Sequence, residues 1–126
     1  MKFQPETLAG ANAITRQEAG RVWVGPRAYD HSLIVPWTGE IEPWQAADPS
    51  QLTPAHFEQI AARRPEVVIF GSGLRLRFVP AALMRSLIEL RIGVETMDTA
   101  AACRTYNVLL SEGRAVLAAL LIEGPA

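Results

Sequence analysis

Four large apolar residues in succession, Val67 to Phe70, constrain the fold of this chain more than any other feature. Pro65 precedes the run and Gly71-Ser72-Gly73 follows it, which is typical of a strand buried on both faces of a sheet. Strands of this kind belong to sheets that are covered by helices. Because ligands of such sheets bind beyond the carboxyl ends of the strands, Gly71, Ser72 and Gly73 form the first candidate ligand site.

The segment after this strand continues as a helix and another strand. Pro80 opens a predicted helix whose apolar residues recur at helical spacing as far as Leu90, and residues 94–97 then form a strand. Strand, helix and strand in this order make a right-handed βαβ unit, so the two strands are predicted to be parallel.

A second long helix and a last strand complete this half of the chain. Asp98 or Thr99 is the predicted cap of the helix, and Gly113 ends it. Residues 115–122 are almost wholly apolar, which predicts a central strand of the sheet.

The first half of the chain is predicted to be rich in β-structure. Ile14–Glu18 and Arg21–Val24 form a hairpin, and residues 32–35 form a third strand. A long proline-rich connection follows, with a short strand near residues 40–42 and then a helix over residues 54–64.

Composition limits the class of protein. At 126 residues the chain is predicted to fold as a single α/β domain over residues 1–126. A net charge of −1 disfavours binding to nucleic acid, and no apolar stretch approaches the length of a membrane span. The lone Cys103 cannot form an internal disulfide, which fits a reducing compartment. These features predict a cytoplasmic protein that is not embedded in a membrane.

The glycine loop after the first buried strand has two interpretations. Its backbone N–H groups could bind an anion, with Arg75 and Arg77 supplying positive charge. However, the third glycine of a dinucleotide-binding fingerprint and the Gly-Lys-Ser or Gly-Lys-Thr of a P-loop are both missing. The sequence therefore favours glycines, at Gly71 and Gly73, that only supply positive φ in a turn.

Cys103 is the strongest nucleophile candidate, because it lies early in the predicted helix beside Arg104. Its spacing from Tyr106 and Leu110 instead places it on an apolar helix face, so we expect a buried packing cysteine. Asp98 precedes the same helix and is predicted to cap it rather than to act as a general base.

Two tryptophans, Trp37 and Trp44, lie in the proline-rich connection. They either cover the sheet or anchor a protein partner, and the sequence supports the two alternatives equally. The acidic residues of this connection have no histidine or cysteine at metal-ligand spacing, so a metal site is not predicted there. No cofactor is predicted either.

Several stretches of the chain resemble a known family. They are residues 68–73, Gly93-Val94-Glu95, residues 97–109 and Glu112-Gly113-Arg114, and the helix motif in 97–109 is the most specific of them. They resemble small bacterial and archaeal domains of unknown function that are similar to mitochondrial respiratory complex I assembly factor 3. The resemblance covers the chain from Arg27 through the last strand.

This resemblance implies a three-layer α/β fold, in which helices flank a central mixed sheet and the N-terminal half adds a further β layer. It also implies that the last strand is antiparallel to its neighbours. The mitochondrial relatives act by protein contact during assembly of a respiratory complex, and no enzymatic activity is established for the bacterial members. Their mitochondrial targeting extension is expected to be missing from this chain.

The leading prediction is a non-enzymatic binding or assembly module, linked to respiratory complex assembly, with an unidentified protein partner; a homo-oligomer is compatible with it. The candidate ligand-binding residues are Gly71, Ser72, Gly73, Arg77, Asp98, Thr99 and Arg104, and the candidate partner-binding residues are Trp37 and Trp44. The alternative is an enzyme that binds a small molecule or an anion in the crevice at Gly71–Gly73, with Asp98, Cys103 and Arg104 nearby.

Overall fold

The computed structural model describes residues 10–123 and contains two sheets and three α-helices within that range. The strands are β1 (Ile14–Glu18), β2 (Arg21–Val24), β3 (Arg27–Tyr29), β4 (Leu33–Pro36), β5 (Glu42–Pro43), β6 (Val67–Gly71), β7 (Gly93–Met97) and β8 (Val116–Leu120). The helices are α1 (Pro54–Ala61), α2 (Arg85–Glu89) and α3 (Thr99–Ser111). The first three strands form a small antiparallel sheet, and the other five form a mixed sheet in the order β5-β4-β8-β6-β7.

The mixed sheet separates two hydrophobic cores, because alternate residues of a strand face opposite sides. On β8, Val116, Ala118 and Leu120 contribute to the core that also contains residues of β1, β2 and α3. Leu117 and Ala119 contribute to the other core, which contains residues of α1 and α2. The predicted three-layer α/β architecture with an additional N-terminal β layer is therefore confirmed.

Strand directions confirm one expectation and correct another. β6 is parallel to both β7 and β8, and β8 occupies the predicted central position. The expectation that the last strand is antiparallel to its neighbours is wrong for β6 and holds only for β4. The reason is that α3 returns the chain to the edge where β7 began, so β8 runs in the same direction as β7.

Three elements differ from the sequence prediction. The helix expected from Pro80 is a 3₁₀ turn over Ala81–Met84 followed by α2, because Pro80 supplies no side-chain cap and the first turn is closed by an i→i+3 bond. α1 ends at Ala61 rather than near Arg64, which adopts a left-handed φ of 52° before the proline. β3 was not predicted, since three residues are too few for a periodic pattern.

Two polar side chains of α3 connect the small sheet to the rest of the molecule. Asn107 Oδ1 accepts a hydrogen bond from Ile14 N–H (3.0 Å), and Asn107 Nδ2 donates one to the Ile14 carbonyl oxygen (2.6 Å). Tyr106 Oη donates to the carbonyl oxygens of Asn12 (2.8 Å) and Pro36 (3.2 Å). These bonds fix the N-terminal layer against α3.

Candidate docking site

The predicted ligand loop after β6 is closed by its own hydrogen bonds. Ser72 N–H donates to the Met97 carbonyl oxygen (2.8 Å), and Gly73 N–H donates to Thr99 Oγ1 (2.9 Å). The cavity beside Gly73 and Thr99 has a volume of about 10 Å³, which is at the lower limit for one water molecule. The backbone N–H groups of Ser72 and Gly73, which an anion would need, are therefore paired within the chain.

Arg77, the cation predicted to hold an anion, binds carboxylates of the chain itself. Its guanidinium forms ion pairs with Asp48 (Nη1 to Oδ1, 2.9 Å) and with Glu123, and Nη2 also donates to the Ser72 carbonyl oxygen (3.0 Å). Glu123 Oε1 in addition accepts the N–H of Leu74 (3.2 Å). The hydrogen bond to Glu123 raises the pKa of Arg77 above its usual value, so the guanidinium is a permanent cation. An external anion at this position would have to displace Glu123.

Ser72 and Gly73 determine the path of the chain into this ion-pair cluster of Arg77, Asp48 and Glu123. Ser72 Oγ is buried, donates to the Arg75 carbonyl oxygen (2.7 Å) and accepts the N–H of Arg77 (2.9 Å). Gly73 has a φ of +108°, and a Cβ there would lie 2.7 Å from Arg77 Nη2. The prediction that Gly73 supplies positive φ is confirmed.

Gly71 has a different reason to be glycine. It is the last residue of β6 and is not among the residues with positive φ, so the prediction of a positive-φ turn is wrong there. A Cβ at Gly71 would lie 2.9 Å from Thr99 Oγ1 and 3.1 Å from Ala102 Cβ. The glycine therefore permits α3 to pack closely on the end of β6.

The loop beyond this point holds one charged residue inward and points its large apolar residues outward. Leu74, Leu76 and Phe78 are 62%, 53% and 74% exposed, whereas Arg77 between them is held by its ion pairs. We call Leu74–Phe78 the apolar loop. Alternation in the sequence predicts two faces but not which one packs against the body, because the carboxylate partners of Arg77 lie 29 and 46 residues away.

Of the remaining predicted ligand residues, one contacts the loop after β6 and two have other positions. Thr99 lies with Gly71, Ser72, Gly73 and Arg77, since its Oγ1 donates to the Leu121 carbonyl oxygen (2.7 Å) and accepts the N–H of Gly73. Asp98 caps α3 as predicted, and its Oδ1 accepts the N–H of Ala101 (2.8 Å). Arg104 is exposed and lines a different groove of about 280 Å³ between β1 and α3.

Cys103 is 3% exposed, which confirms the predicted packing position. Burial raises the pKa of its thiol to about 12, against the smaller opposing effect of Arg104. A thiol with this pKa stays protonated at neutral pH and is a poor nucleophile.

The two tryptophans occupy different environments. Trp44 is 2% exposed, lies edge-to-face with Phe57 and Phe70, and donates from Nε1 to the His56 carbonyl oxygen (3.2 Å). It therefore covers the sheet, and the alternative of an exposed anchor does not fit its position. Trp37 is half-buried at the edge of the other core, and its role as a partner anchor stays a prediction.

Within residues 10–123, one groove has a volume of about 480 Å³ and includes His31 and Ser32 in its lining. Ser32 Oγ is buried and accepts the N–H of Ile122 (2.9 Å), while His31 Nδ1 contacts the Ser32 carbonyl oxygen (3.1 Å). The histidine is therefore not placed to activate that hydroxyl. In the same range no cluster of three metal-ligating side chains occurs, and no helix is long and apolar enough to cross a membrane.

Comparison with known proteins identifies relatives over most of the chain. The "13 kDa major membrane protein" of Francisella tularensis is 27% identical over 117 residues, which cover 92% of this chain and 95% of that protein. The "NADH dehydrogenase (ubiquinone) 1 alpha subcomplex assembly factor 3" of Bos taurus is 30% identical over 104 residues, which cover 81% of this chain and 55% of that protein. The chain thus spans about half of that assembly factor.

Solved structures and a family model agree with this relationship. A solution structure from Bordetella pertussis, described as a Mth938-like domain, has a TM-score of 0.84 at 28% identity and covers 100% of this chain and 93% of that one. A family model described as a protein of unknown function (DUF498/DUF598) matches residues 14–121. Since that match spans both sheets and all three helices, this chain belongs to the DUF498/DUF598 family.

Proposed function

We propose that this chain is a non-enzymatic binding module that acts by contact in the assembly of a membrane-bound respiratory complex, with the apolar loop as its contact surface. The observation that carries this proposal is the orientation of the side chains in the apolar loop. Arg77 points inward and forms ion pairs, while Leu74, Leu76 and Phe78 project into solvent. Exposed apolar side chains concentrated in one short loop are characteristic of an interaction site.

The geometry of the loop supports a contact role because the backbone that carries its apolar side chains is held in place. Ser72 Oγ bridges two backbone groups of the loop, and Arg77 joins it to Asp48 and Glu123. A preorganised loop loses little conformational entropy when it docks, so more of the binding free energy is retained. A loop without function would gain solubility from polar residues at these positions.

The relatives support the same proposal. The bovine relative is named as an assembly factor of NADH dehydrogenase, and the Francisella relative is named as a membrane protein. An assembly factor works by binding other components, which a contact surface provides and a catalytic site does not require. An enzyme that uses the crevice at Gly71–Gly73 is the weaker alternative, because the space there is about 10 Å³.

Complementation of a gene deletion tests this proposal. In the organism that encodes the chain, deletion should lower the amount of assembled NADH dehydrogenase that is resolved on native gels. The wild-type chain should restore the complex, whereas the double variant Leu76→Ser/Phe78→Ser should not. Val108→Ser is the matched control, since Val108 is a 55% exposed apolar residue on α3, and it should restore the complex fully.

Two results would contradict the proposal. One is a deletion strain with a normal amount of assembled complex, which would remove the assembly role. The other is full restoration by the double variant at equal protein abundance, which would remove the apolar loop as the contact surface.

A further inference from the structure

We infer that the apolar loop docks on the surface of an anionic lipid membrane, with Leu74, Leu76 and Phe78 in the interfacial region and Arg75 beside the lipid headgroups. This inference rests on the proposed function, because it names the partner of the same loop. It follows from the size and shape of the exposed apolar surface and from the charges around it.

The apolar surface that the loop exposes is small, and it consists of side chains that project from the protein. Leu74, Leu76 and Phe78 together present on the order of 300 Å² of apolar surface, against roughly 800 Å² per partner in a stable protein–protein interface. A rigid protein partner would need a matching cavity to enclose three side chains that project from one short loop. A fluid lipid interface adapts to such a loop without a preformed cavity.

The charges beside the apolar residues favour anionic lipid. Residues 74–88 contain three arginines and no acidic residue, although the whole chain has a net charge of −1. Arg77 pairs with both Asp48 and Glu123 on the inner side of the loop, so these three residues together have a net charge of −1. Arg75 and Arg85 are exposed, and neither forms an ion pair with any residue between 10 and 123. The outward side of the loop therefore presents its apolar side chains together with the cation Arg75, which lies between two exposed leucines.

The order of residues in the loop matches the layering of a membrane surface. Arg75 lies between Leu74 and Leu76, so its guanidinium can remain among phosphate groups while the two neighbouring side chains enter the acyl boundary. Each basic residue near an anionic surface contributes to membrane affinity, and the contribution is screened by salt. Apolar insertion and charge attraction therefore act at the same place.

Sedimentation of the purified full chain with vesicles tests the inference. The chain should bind vesicles of phosphatidylcholine and phosphatidylglycerol at low salt, and bind much less to phosphatidylcholine alone. Arg75→Gln should weaken binding about fivefold, the loss expected for one basic residue at an anionic surface. Leu76→Ser/Phe78→Ser should weaken it by about tenfold or more, since two inserting side chains are lost.

Val108→Ser is the control and should bind like the wild type. All variants should keep the wild-type circular dichroism spectrum, because the substituted side chains are exposed.

The outcomes separate this inference from the proposed function. No binding to phosphatidylglycerol vesicles, or equal binding by the wild type and the double variant, would overturn the membrane contact. If the double variant also failed to restore the respiratory complex in cells, the loop would be assigned to a protein partner and the proposed function would stand. Vesicle binding that depends on the loop, in an organism whose complex assembles normally without this chain, would support the membrane contact and overturn the proposed function.

Discussion

At the scale of single residues, burial determines the chemistry of Cys103. Its side chain packs in the core that also contains Ala102 and Tyr106, and it is 3% exposed. Desolvation penalises the thiolate more than Arg104 stabilises it, which is why the pKa rises from 9.0 to about 12. The cysteine is therefore a packing residue whose reactivity depends on unfolding.

We expect Cys103 to react slowly with iodoacetamide in the native protein at neutral pH and rapidly in urea. Mass spectrometry of the alkylated protein over time measures both rates. Because folding raises its pKa, the thiol contributes its full stabilisation below about pH 9, and this contribution falls as the pH rises from 9.0 towards 12. Native alkylation as fast as in urea would show that the thiol is accessible, contrary to its position in the core.

At the scale of elements, the contact between β6 and α3 depends on one missing side chain. Gly71 ends β6 directly beside Thr99 and Ala102 in the first turn of α3. Thr99 Oγ1 then connects the helix to the Leu121 carbonyl oxygen and to the N–H of Gly73. A strand, a helix and a loop therefore meet at a place with no room for another carbon atom.

Gly71→Ala should destabilise the protein by about 1–3 kcal/mol, since the added Cβ would overlap Thr99 and force α3 away from the sheet. Gly93→Ala is the matched control, because Gly93 begins β7, has no positive φ, and has open space where a Cβ would lie. We expect the control to leave stability unchanged or to raise it by about 0.4–1 kcal/mol. Urea unfolding followed by circular dichroism compares the two, and equal stabilities would show that the close contact at Gly71 carries no energetic consequence.

Elements with strong local signals were predictable from the sequence. The Asp98 cap and the apolar spacing of Cys103, Tyr106 and Leu110 placed α3 and its buried face correctly. The direction of β8 relative to β6 was not predictable from the last strand itself, since it follows from the crossover through α3.

The candidate docking site was only partly predictable. The sequence placed Ser72, Gly73 and Arg77 together, and the structure confirms this proximity. It could not show that Asp48 and Glu123 neutralise Arg77, because these residues lie far away along the chain. Because those partners are distant, no pattern within residues 74–78 indicates that the apolar side chains of the loop point into solvent.

At the scale of the whole molecule, the N-terminal sheet is attached to the central sheet through α3. Ile14, Val22 and Val24 pack in the same core as Tyr106, and Asn107 adds two hydrogen bonds to Ile14. β8 contributes to both cores, so the layers on its two sides share one strand. We expect the three layers to unfold in one transition.

Asn107→Ala should lower the free energy of unfolding by about 2–3 kcal/mol, because two hydrogen bonds are lost and the N–H of Ile14 is left without this partner. Ser111→Ala is the control, since Ser111 is exposed on the same helix and bonds only to the Val108 carbonyl oxygen of its own turn. Urea unfolding measures both stabilities, and hydrogen exchange should show faster opening of β1 in the Asn107 variant. Unchanged stability, or unchanged exchange in β1, would show that apolar packing alone holds this layer.

The ion-pair cluster also joins three segments that are distant along the chain. Arg77 connects the apolar loop to Glu123, which lies three residues after the end of β8, and to Asp48 in the long connection. Leu121 N–H donates to the Gly71 carbonyl oxygen (2.9 Å), so the strands behind the loop are joined as well. A force applied to Leu76 or Phe78 would therefore reach the end of the central strand through Arg77 and Glu123, and we expect the loop to stay attached under such a force as long as these ion pairs hold.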